Sequence, residues 1–546
     1  MKIFDALIKL NNEFNLSVSK ISLKNYDGDK TDTLYFSIND FIIQNQKKEI
    51  IINQKSIDIK LITQSIIKYE AIIAFSDFYL NLSMDDLKNI LFILNQTKER
   101  KFKLISKNTK HYIKKPETIK RSHEVHFTIK IKLPLFSFSL KDNSKNKKFE
   151  IILSDLENIL NFYVPEEKVK DIKKNIKLNL GRINIIAYQC NGIEYNILEF
   201  KENMNNNFKE NNLINFEQKI NNTKNQLELI LNNENDDNID DITINLNKFG
   251  INLRIDIFHQ LLLIIKEISS LKRKEEEEMV DEKEHLKNLR INFSQFELKL
   301  DSIDNENEFI CFNINKFIFN SLPEEVQEIK IDKFSISFVE NEEISNIFQN
   351  PNKNDFIIIN IYKKNLLYKI NTEIDEANIY MTFTDVKLLK EFINKNYKYY
   401  EKYKINSLFR NDKEEENMKN IQEHNSKPYE LKLNMKKIEM TLIDDYLNNS
   451  FPFLNLDILD INCDLTEQKE LKSSFLLIIS TYNYISSSWE PFIENTPIKV
   501  LIYKKEENNL KIISFNMEIS NILVNISGMF ITSSLLSIKN FYNIFQ

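Results

Sequence analysis

Six histidines, His111, His123, His126, His259, His285 and His424, are the side chains best suited to move protons or ligate metal near neutral pH. His123 and His126 stand three apart in an alternating run, so a strand turns them to opposite faces and denies them a shared metal. His259 sits beside the apolar run 261–265 and reads as a structural residue near a helix start. Adjacent carboxylates occur at Asp85-Asp86, Asp240-Asp241 and Asp444-Asp445, and they read as one helix start and two turns. Acid–base catalysis needs surroundings that push two such pKa values apart, and no sequence feature supplies them. Neither a nucleophile elbow nor an H-E-x-x-H pattern occurs. Cys190, Cys311 and Cys463 are odd in number and widely spaced, which fits a reducing compartment and no disulfide frame or zinc motif. The five glycines, Gly28, Gly181, Gly192, Gly250 and Gly528, never cluster as a phosphate-cradling loop requires. The sequence predicts a non-enzyme with no catalytic residue, no metal and no cofactor.

Bulk properties narrow the partners. A charged fraction of 28% and a net charge of −6 over 546 residues imply neither nucleic acid nor an anionic membrane surface. No run reaches the ~18 apolar residues that span a bilayer. Lys2, Asp5 and Lys9 interrupt the opening stretch, so it does not read as a secretory signal.

The elements that would position any site are mostly strands. In 125–133, Val125, Phe127, Ile129, Ile131 and Leu133 alternate with His126, Thr128, Lys130 and Lys132; Pro134 follows, and the apolar phase shifts to Phe136, Phe138 and Leu140. Similar runs occur at Ile291-Phe293, Phe296-Leu298-Leu300, Phe334-Ile336-Phe338, Leu431-Leu433-Met435, Ile438-Met440-Leu442 and Phe475-Leu477-Ile479, separated by Asn, Asp and Lys. This is the pattern of an antiparallel meander. Helices are expected near 84–100 (capped by Ser83), 155–176 (a Ser154/Glu157 capping box), 257–288 (ending in a charged run read as a solvated face) and 385–402.

Five junctions share one form: two apolar residues two apart, a Ser, Thr or Asp, then a helix-like stretch. They are Leu80-Asn81-Leu82-Ser83, Ile151-Ile152-Leu153-Ser154, Leu253-Arg254-Ile255-Asp256, Met381-Thr382-Phe383-Thr384 and Val524-Asn525-Ile526-Ser527. The Ile151 case fits least well, and without it the spacing is roughly 130–170 residues, enough for several strands plus a helix. The predicted organisation is β-groove repeats over 1–200, an Asn-rich disordered loop at 201–240, middle repeats over 241–402, a linker at 403–430 and a last repeat over 431–546.

On the order of 30 inward apolar side chains, at roughly 1.5–3 kcal/mol each, represent far more free energy than the about 5–15 kcal/mol that holds a fold together. That face must be covered by a second sheet, by barrel closure or by a non-protein apolar substance. The repeated meander favours the last, and the expected fold class is mainly β, a repeating β-groove forming an elongated open trough with connecting helices and disordered loops.

The lone tryptophan, in Tyr482-Asn483-Tyr484-Ile485-Ser486-Ser487-Ser488-Trp489-Glu490-Pro491-Phe492-Ile493-Glu494, sits in a segment that resembles a motif of the vacuolar protein sorting-associated protein 13 (chorein) family. The stretch 519–527 resembles the strand-to-helix junction of the same family, so the resemblance covers roughly 430–546. Trp489, Glu490, Pro491 and Glu494 are read as structural. Met1-Lys2-Ile3-Phe4-Asp5 does not resemble the family's amphipathic start, and Asn495-Thr496 stand where relatives often have proline and an aromatic residue. The chain is therefore expected to be an interior rod segment.

The resemblance implies bridge-like lipid transfer: glycerophospholipids conducted along a hydrophobic groove between organelle membranes at contact sites. It also implies peripheral attachment in the cytoplasm without a membrane span, adaptor proteins as further partners, and no nucleic acid. The floor expected from the strand pattern is Val125, Phe127, Ile129, Ile131, Leu133, Phe334, Ile336, Phe338, Leu431, Leu433, Phe475, Leu477, Val524 and Ile526. The alternative reading is a non-enzymatic β-rich scaffold with closed sandwich cores.

Overall fold

Side chains that alternate apolar and polar every second residue commit most of the chain to strands. The computed structural model describes residues 2–9, 14–27, 32–45, 48–65, 68–83, 85–87, 125–142, 147–164, 173–188, 194–200, 227–233, 240–272, 287–305, 307–322, 326–341, 343–351, 355–364, 367–402, 429–446, 450–466, 470–483, 485–507 and 510–545. The expected mainly β class is borne out, with 24 strands and three long helices among these residues. They form two compact units, Met1–Phe249 with Glu267–Asn288, and Gly250–Lys266 with Leu289–Gln546.

In the first unit, β1 (Lys2–Lys9), β2 (Phe14–Asp27), β3 (Asp32–Asn45) and β4 (Lys48–Ser65) pair antiparallel in chain order. β5 (Lys68–Phe75) and β6 (Phe78–Ser83) share the fifth place along β4. β7 (Val125–Asp142) then returns parallel to both. It is followed by β8 (Lys147–Val164), the split pair β9 (Lys173–Leu180) and β10 (Arg182–Tyr188), and the split pair β11 (Glu194–Phe200) and β12 (Leu227–Asn233). β13 (Asp240–Arg254) closes this set through its pairing of Asp241–Leu246 with β12; its end from Gly250, and helix α1 (Ile255–Lys272) as far as Lys266, are counted with the second unit.

The second unit repeats the plan. β14 (Lys287–Asp301), β15 (Glu308–Ser321) and β16 (Val326–Glu340) are antiparallel, β17 (Glu343–Gln349) and β18 (Ile357–Lys364) share the fourth place, and β19 (Leu367–Thr382) is fifth. Helix α2 (Phe383–Lys402) follows, and β20 (Tyr429–Asp444) returns parallel to β19. β21 (Phe451–Leu465), β22 (Leu471–Asn483), β23 (Ser488–Glu507) and β24 (Leu510–Ile519) continue antiparallel, and helix α3 (Gly528–Phe545) ends the described chain.

Four of the five sequence junctions therefore close a fifth strand and open a helix or helical turn. The fifth, Ile151 to Ser154, lies inside β8, so no helix begins at 155. Leu153 and Leu156 imitate helical spacing because the strand's apolar phase inverts between them. Three further expectations change. β12 lies within 201–240, where Leu227, Leu229 and Leu231 alternate as a strand despite the surrounding asparagines; residues 201–226 and 234–239 lie outside the described residues. The 257–288 helix is described only to Lys272, residues 273–286 lie outside the described residues, and Lys287 is already strand. The 403–430 linker gives way to strand at its end, where Tyr429 and Glu430 of β20 already pair with Tyr368 and Lys369 of β19; residues 403–428 lie outside the described residues, as do 88–124 of the first expected helix and beyond.

One device recurs in the opening strands of each repeat. Asp40 (φ 50°), Asp155 (φ 53°), Lys316 (φ 52°) and Asp460 (φ 52°) are left-handed within strands. Cross-strand pairing skips each of them opposite Ser19, Pro134, Ser294 and Lys436 respectively. The apolar set changes parity there: Ile291 and Phe293 give way to Phe296, Leu298 and Leu300, and Leu431, Leu433 and Met435 to Ile438, Met440 and Leu442. The rings of Phe293 and Phe296 meet edge-on at 6.0 Å, so both sets share one face across the inversion. Such an irregularity bends a strand as a bulge does. Beside Asp155 a glycine is required: a Cβ on Gly181 would lie 2.8 Å from the Asp155 Cβ, and the Gly181 N–H donates to the Ser154 carbonyl at 3.0 Å.

Asp460→Val should lower stability by about 1–2 kcal/mol through the left-handed penalty on a branched side chain, whereas Asp460→Gly should be near neutral. Urea unfolding of the whole chain, compared between the two variants, measures the difference.

Candidate functional site

Residues directly opposite one another across a ladder share a face, so pairing register builds the site. In the first unit one lane runs Phe36, Ile59, Ile73, Ile131, Asn158, Leu178, Leu229, Ile244 across eight strands. In the second, Phe293, Phe317, Ile331, Ile357, Ile374, Met435 and Ile461 cross seven. Asn158 is the single polar member. Every residue of both lanes is half-buried. Among the described residues, each is shielded by its neighbours in the sheet and stays partly open to solvent.

Beyond the inversion the second unit treats the same face differently. Ile310, Phe338, Ile347 and Phe392 form a buried cluster, with Leu300, Phe312, Ile336, Ile379, Met381, Leu388 and Leu389 packed around it. Phe392, Leu388 and Leu389 belong to α2, and the Phe392 ring meets Phe338 edge-on at 6.0 Å. Helix α2 thus roofs half of the face. It is fixed at its start by the Thr382 N–H donating to Asp385 Oδ2 (2.9 Å), the Asp385 N–H donating to Thr382 Oγ1 (2.9 Å) and the Thr384 N–H donating to Asp445 (3.2 Å). Asp444 accepts from Asn540 of α3 at 2.8 Å, so this carboxylate pair ties down two helices.

The expected floor residues divide accordingly. Phe127, Ile129, Ile131 and Leu133 lie together on one face of β7, Phe127 stacked on Tyr69 at 5.2 Å; Val125 at the strand end is buried. Leu431 and Leu433 align with Ile370 and Thr372, and Leu477 with Ile458. Phe475 pairs with Ile498. Phe334 packs on Phe348 and Phe356, and Ile336 and Phe338 belong to the α2-covered core, Phe338 being 2% exposed. Val524 makes only an isolated bridge to Ile493, and with Ile526 it is exposed at the unit's flank. Sequence reading missed Ile59, Ile73, Ile331, Ile357 and Ile374. Their signal was alternation read through the inversion instead of stopped at it.

The tryptophan motif clamps a junction. Trp489 pairs with Tyr482 and meets its ring edge-on at 5.3 Å, and Glu490 accepts from the Asn483 amide at 2.6 Å. The Asn525 amide donates to the Pro491 carbonyl (3.2 Å) and to Glu494 Oε1 (2.8 Å), and Phe492 stacks on Phe530 of α3 at 4.2 Å.

The opposite face carries cross-strand charge. Lys130 meets Glu70 at 2.8 Å and Lys177 meets Glu228 at 2.6 Å. Hydrogen bonds from Lys148, Ser137 and Tyr188 hold the Glu150 carboxyl below its ordinary value although burial opposes them, while burial and Glu150 push the Tyr188 phenol up. Among the described residues no three His, Cys, Asp or Glu side chains are placed to hold a metal, and no helix is long and apolar enough to cross a membrane.

The fold and face define a mainly β protein that presents continuous apolar lanes. No family model matches the chain. Over 157 residues it is 26% identical to the intermembrane lipid transfer protein vps13D of Dictyostelium discoideum, a match covering 27% of this chain and 3% of that protein's length.

The Lys177 hydrogen bond lowers the Glu228 pKa below 4.5, against the opposing effect of burial and with help from Asn245. A carboxyl depressed on folding stabilises fully above its unfolded value and loses that contribution as pH falls through its folded value. Glu228→Gln should therefore flatten the fall in melting temperature below about pH 4.5, read by thermal melts from pH 7 to pH 3.

Proposed function

We propose that this chain carries lipid along the apolar face of its sheets as a non-enzymatic, bridge-like transfer protein. The observation that supports the reading is the apolar lane in each unit, interrupted only by Asn158 in the first. With strands about 4.8 Å apart, the eight-strand lane is about 33 Å long. Each methylene withdrawn from water onto it contributes about 0.8 kcal/mol, so acyl chains bind while head groups stay hydrated. Because successive strands offer nearly the same apolar surface, a bound tail meets no single deep well and can move stepwise. The proposed cargo is glycerophospholipid, exchanged between organelle membranes at contact sites, with peripheral membrane attachment and adaptor proteins as further partners. The similarity to an intermembrane lipid transfer protein supports the same reading.

Transfer of fluorescent phospholipid between liposomes tests it. Ile131→Glu, on the open lane, should reduce transfer by roughly tenfold or more while circular dichroism and melting stay unchanged. Ile336→Glu, under α2, should instead destabilise the chain by at least about 2 kcal/mol. Unimpaired transfer by a folded Ile131→Glu protein, or no co-purifying lipid in native mass spectrometry, would sink the reading.

A further inference from the structure

The net charge of −6 conceals a local excess of the opposite sign. After its capping Asp385, α2 carries Lys387, Lys390, Lys395, Lys398 and Lys402 against Glu391 and Glu401. The helix is fixed to the sheet by its other side. Leu388, Leu389 and Phe392 face the buried cluster around Phe338, Lys395 reaches Glu308 at 3.6 Å, and the Tyr399 hydroxyl donates to Asp304 at 2.9 Å. Packing and these two polar ties decide which stripe of α2 points outward.

Helical spacing defines that stripe. Lys390, Asn394 and Lys398 follow one another at four-residue steps, and Lys390, Ile393 and Tyr397 share the adjoining line. All five are exposed, Ile393 by 53% and Tyr397 by 56%, and the Tyr397 ring stacks on Tyr400 at 6.4 Å. The Tyr397 hydroxyl engages Glu401, one of the two acids. No arginine occurs in α2, so no bidentate fork favours one defined carboxylate or phosphate, and lysine point charges suit a diffuse negative surface. Lysines flanking an exposed aliphatic and aromatic pair match the headgroup zone of a bilayer. There ammonium groups meet phosphate while apolar tips reach the acyl boundary.

We propose that the outward stripe of α2 is a docking surface for a bilayer containing anionic phospholipid. The proposal rests on the transfer reading for its need of a membrane, and adds where the chain attaches and to which lipid charge. Each lysine near such a surface strengthens attachment severalfold, and the attraction fades within a Debye length of about 10 Å at 0.1 M salt. Because the whole chain is negative, a preference for anionic vesicles must come from a local patch.

The full-length chain is sedimented with phosphatidylcholine vesicles, and with vesicles in which about a third of the lipid is phosphatidylserine, at about 0.05 M and about 0.5 M salt. The expected result is roughly tenfold tighter binding to the anionic vesicles at low salt, lost at high salt. Lys390→Gln with Lys398→Gln should weaken that binding roughly tenfold, and Ile393→Ser with Tyr397→Ser severalfold. Melts should stay unchanged, because all four positions are exposed. Both double variants should still co-purify with lipid, whereas Ile131→Glu should lose carriage and keep vesicle binding, so failure of docking and failure of the transfer reading are separate results. The proposal is overturned if binding ignores phosphatidylserine, if it survives the α2 substitutions, or if the chain binds no vesicle. Binding of polyglutamate that is lost in the lysine variant, without vesicle binding, would assign the stripe to an acidic protein and overturn it too.

Discussion

Long strands can keep one face apolar only while their alternation holds phase, and here that phase is deliberately broken. Strict alternation through β14 would send Phe296, Leu298 and Leu300 to the face opposite Ile291 and Phe293. The left-handed residue on the paired strand, Lys316, admits two consecutive polar positions and returns the apolar set to its side. Asp40, Asp155 and Asp460 do the same in the other repeats. Three of the four are aspartates, whose short polar side chain tolerates this backbone better than most. Bent strands, a continuous apolar face and the charged ladder behind it all rest on these inversions.

The two halves of that face in the second unit are energetically distinct. On one side of the inversion α2 supplies Phe392, Leu388 and Leu389, and the sheet acquires an ordinary core around Phe338. On the other, among the described residues, Phe317, Ile331 and Ile374 are half-buried beside their cross-strand neighbours. A unit with one closed and one open half can hold its fold without the open half being filled. That separation allows a surface to bind apolar ligand reversibly, because occupancy is not a condition of folding.

Junctions were the most legible part of the organisation. Ser83 and Asp86 cap each other, with the Ser83 hydroxyl donating to Asp86 at 2.6 Å and the Asp86 N–H donating back at 3.1 Å, as the helix-start pattern foretold. The tryptophan motif was legible as a hairpin, but its hold on Asn525 and Phe530, more than thirty residues away, was not. The failures share a cause. At Ser154 the inversion placed Leu153 and Leu156 three apart and mimicked a helix, while at β12 the neighbouring asparagines obscured three alternating leucines. The alternation that carries Ile131 and Leu433 was legible because a strand's period is local. Ile336 and Phe338 have the same period, and nothing nearby in sequence tells that α2 will cover them.

By itself the sequence determined the strands, their apolar sets and the points where a repeat closes, because these follow from residue spacing within one element. Only the tertiary structure decided which sets join into a lane, since that depends on register between strands that can be far apart in the chain, as for Phe317 against Ile331 or Ile374 against Met435. It also decided which half of the face is roofed. Burial is a property of what packs opposite, and a period of two cannot distinguish a side chain that meets a helix from one that meets an open face.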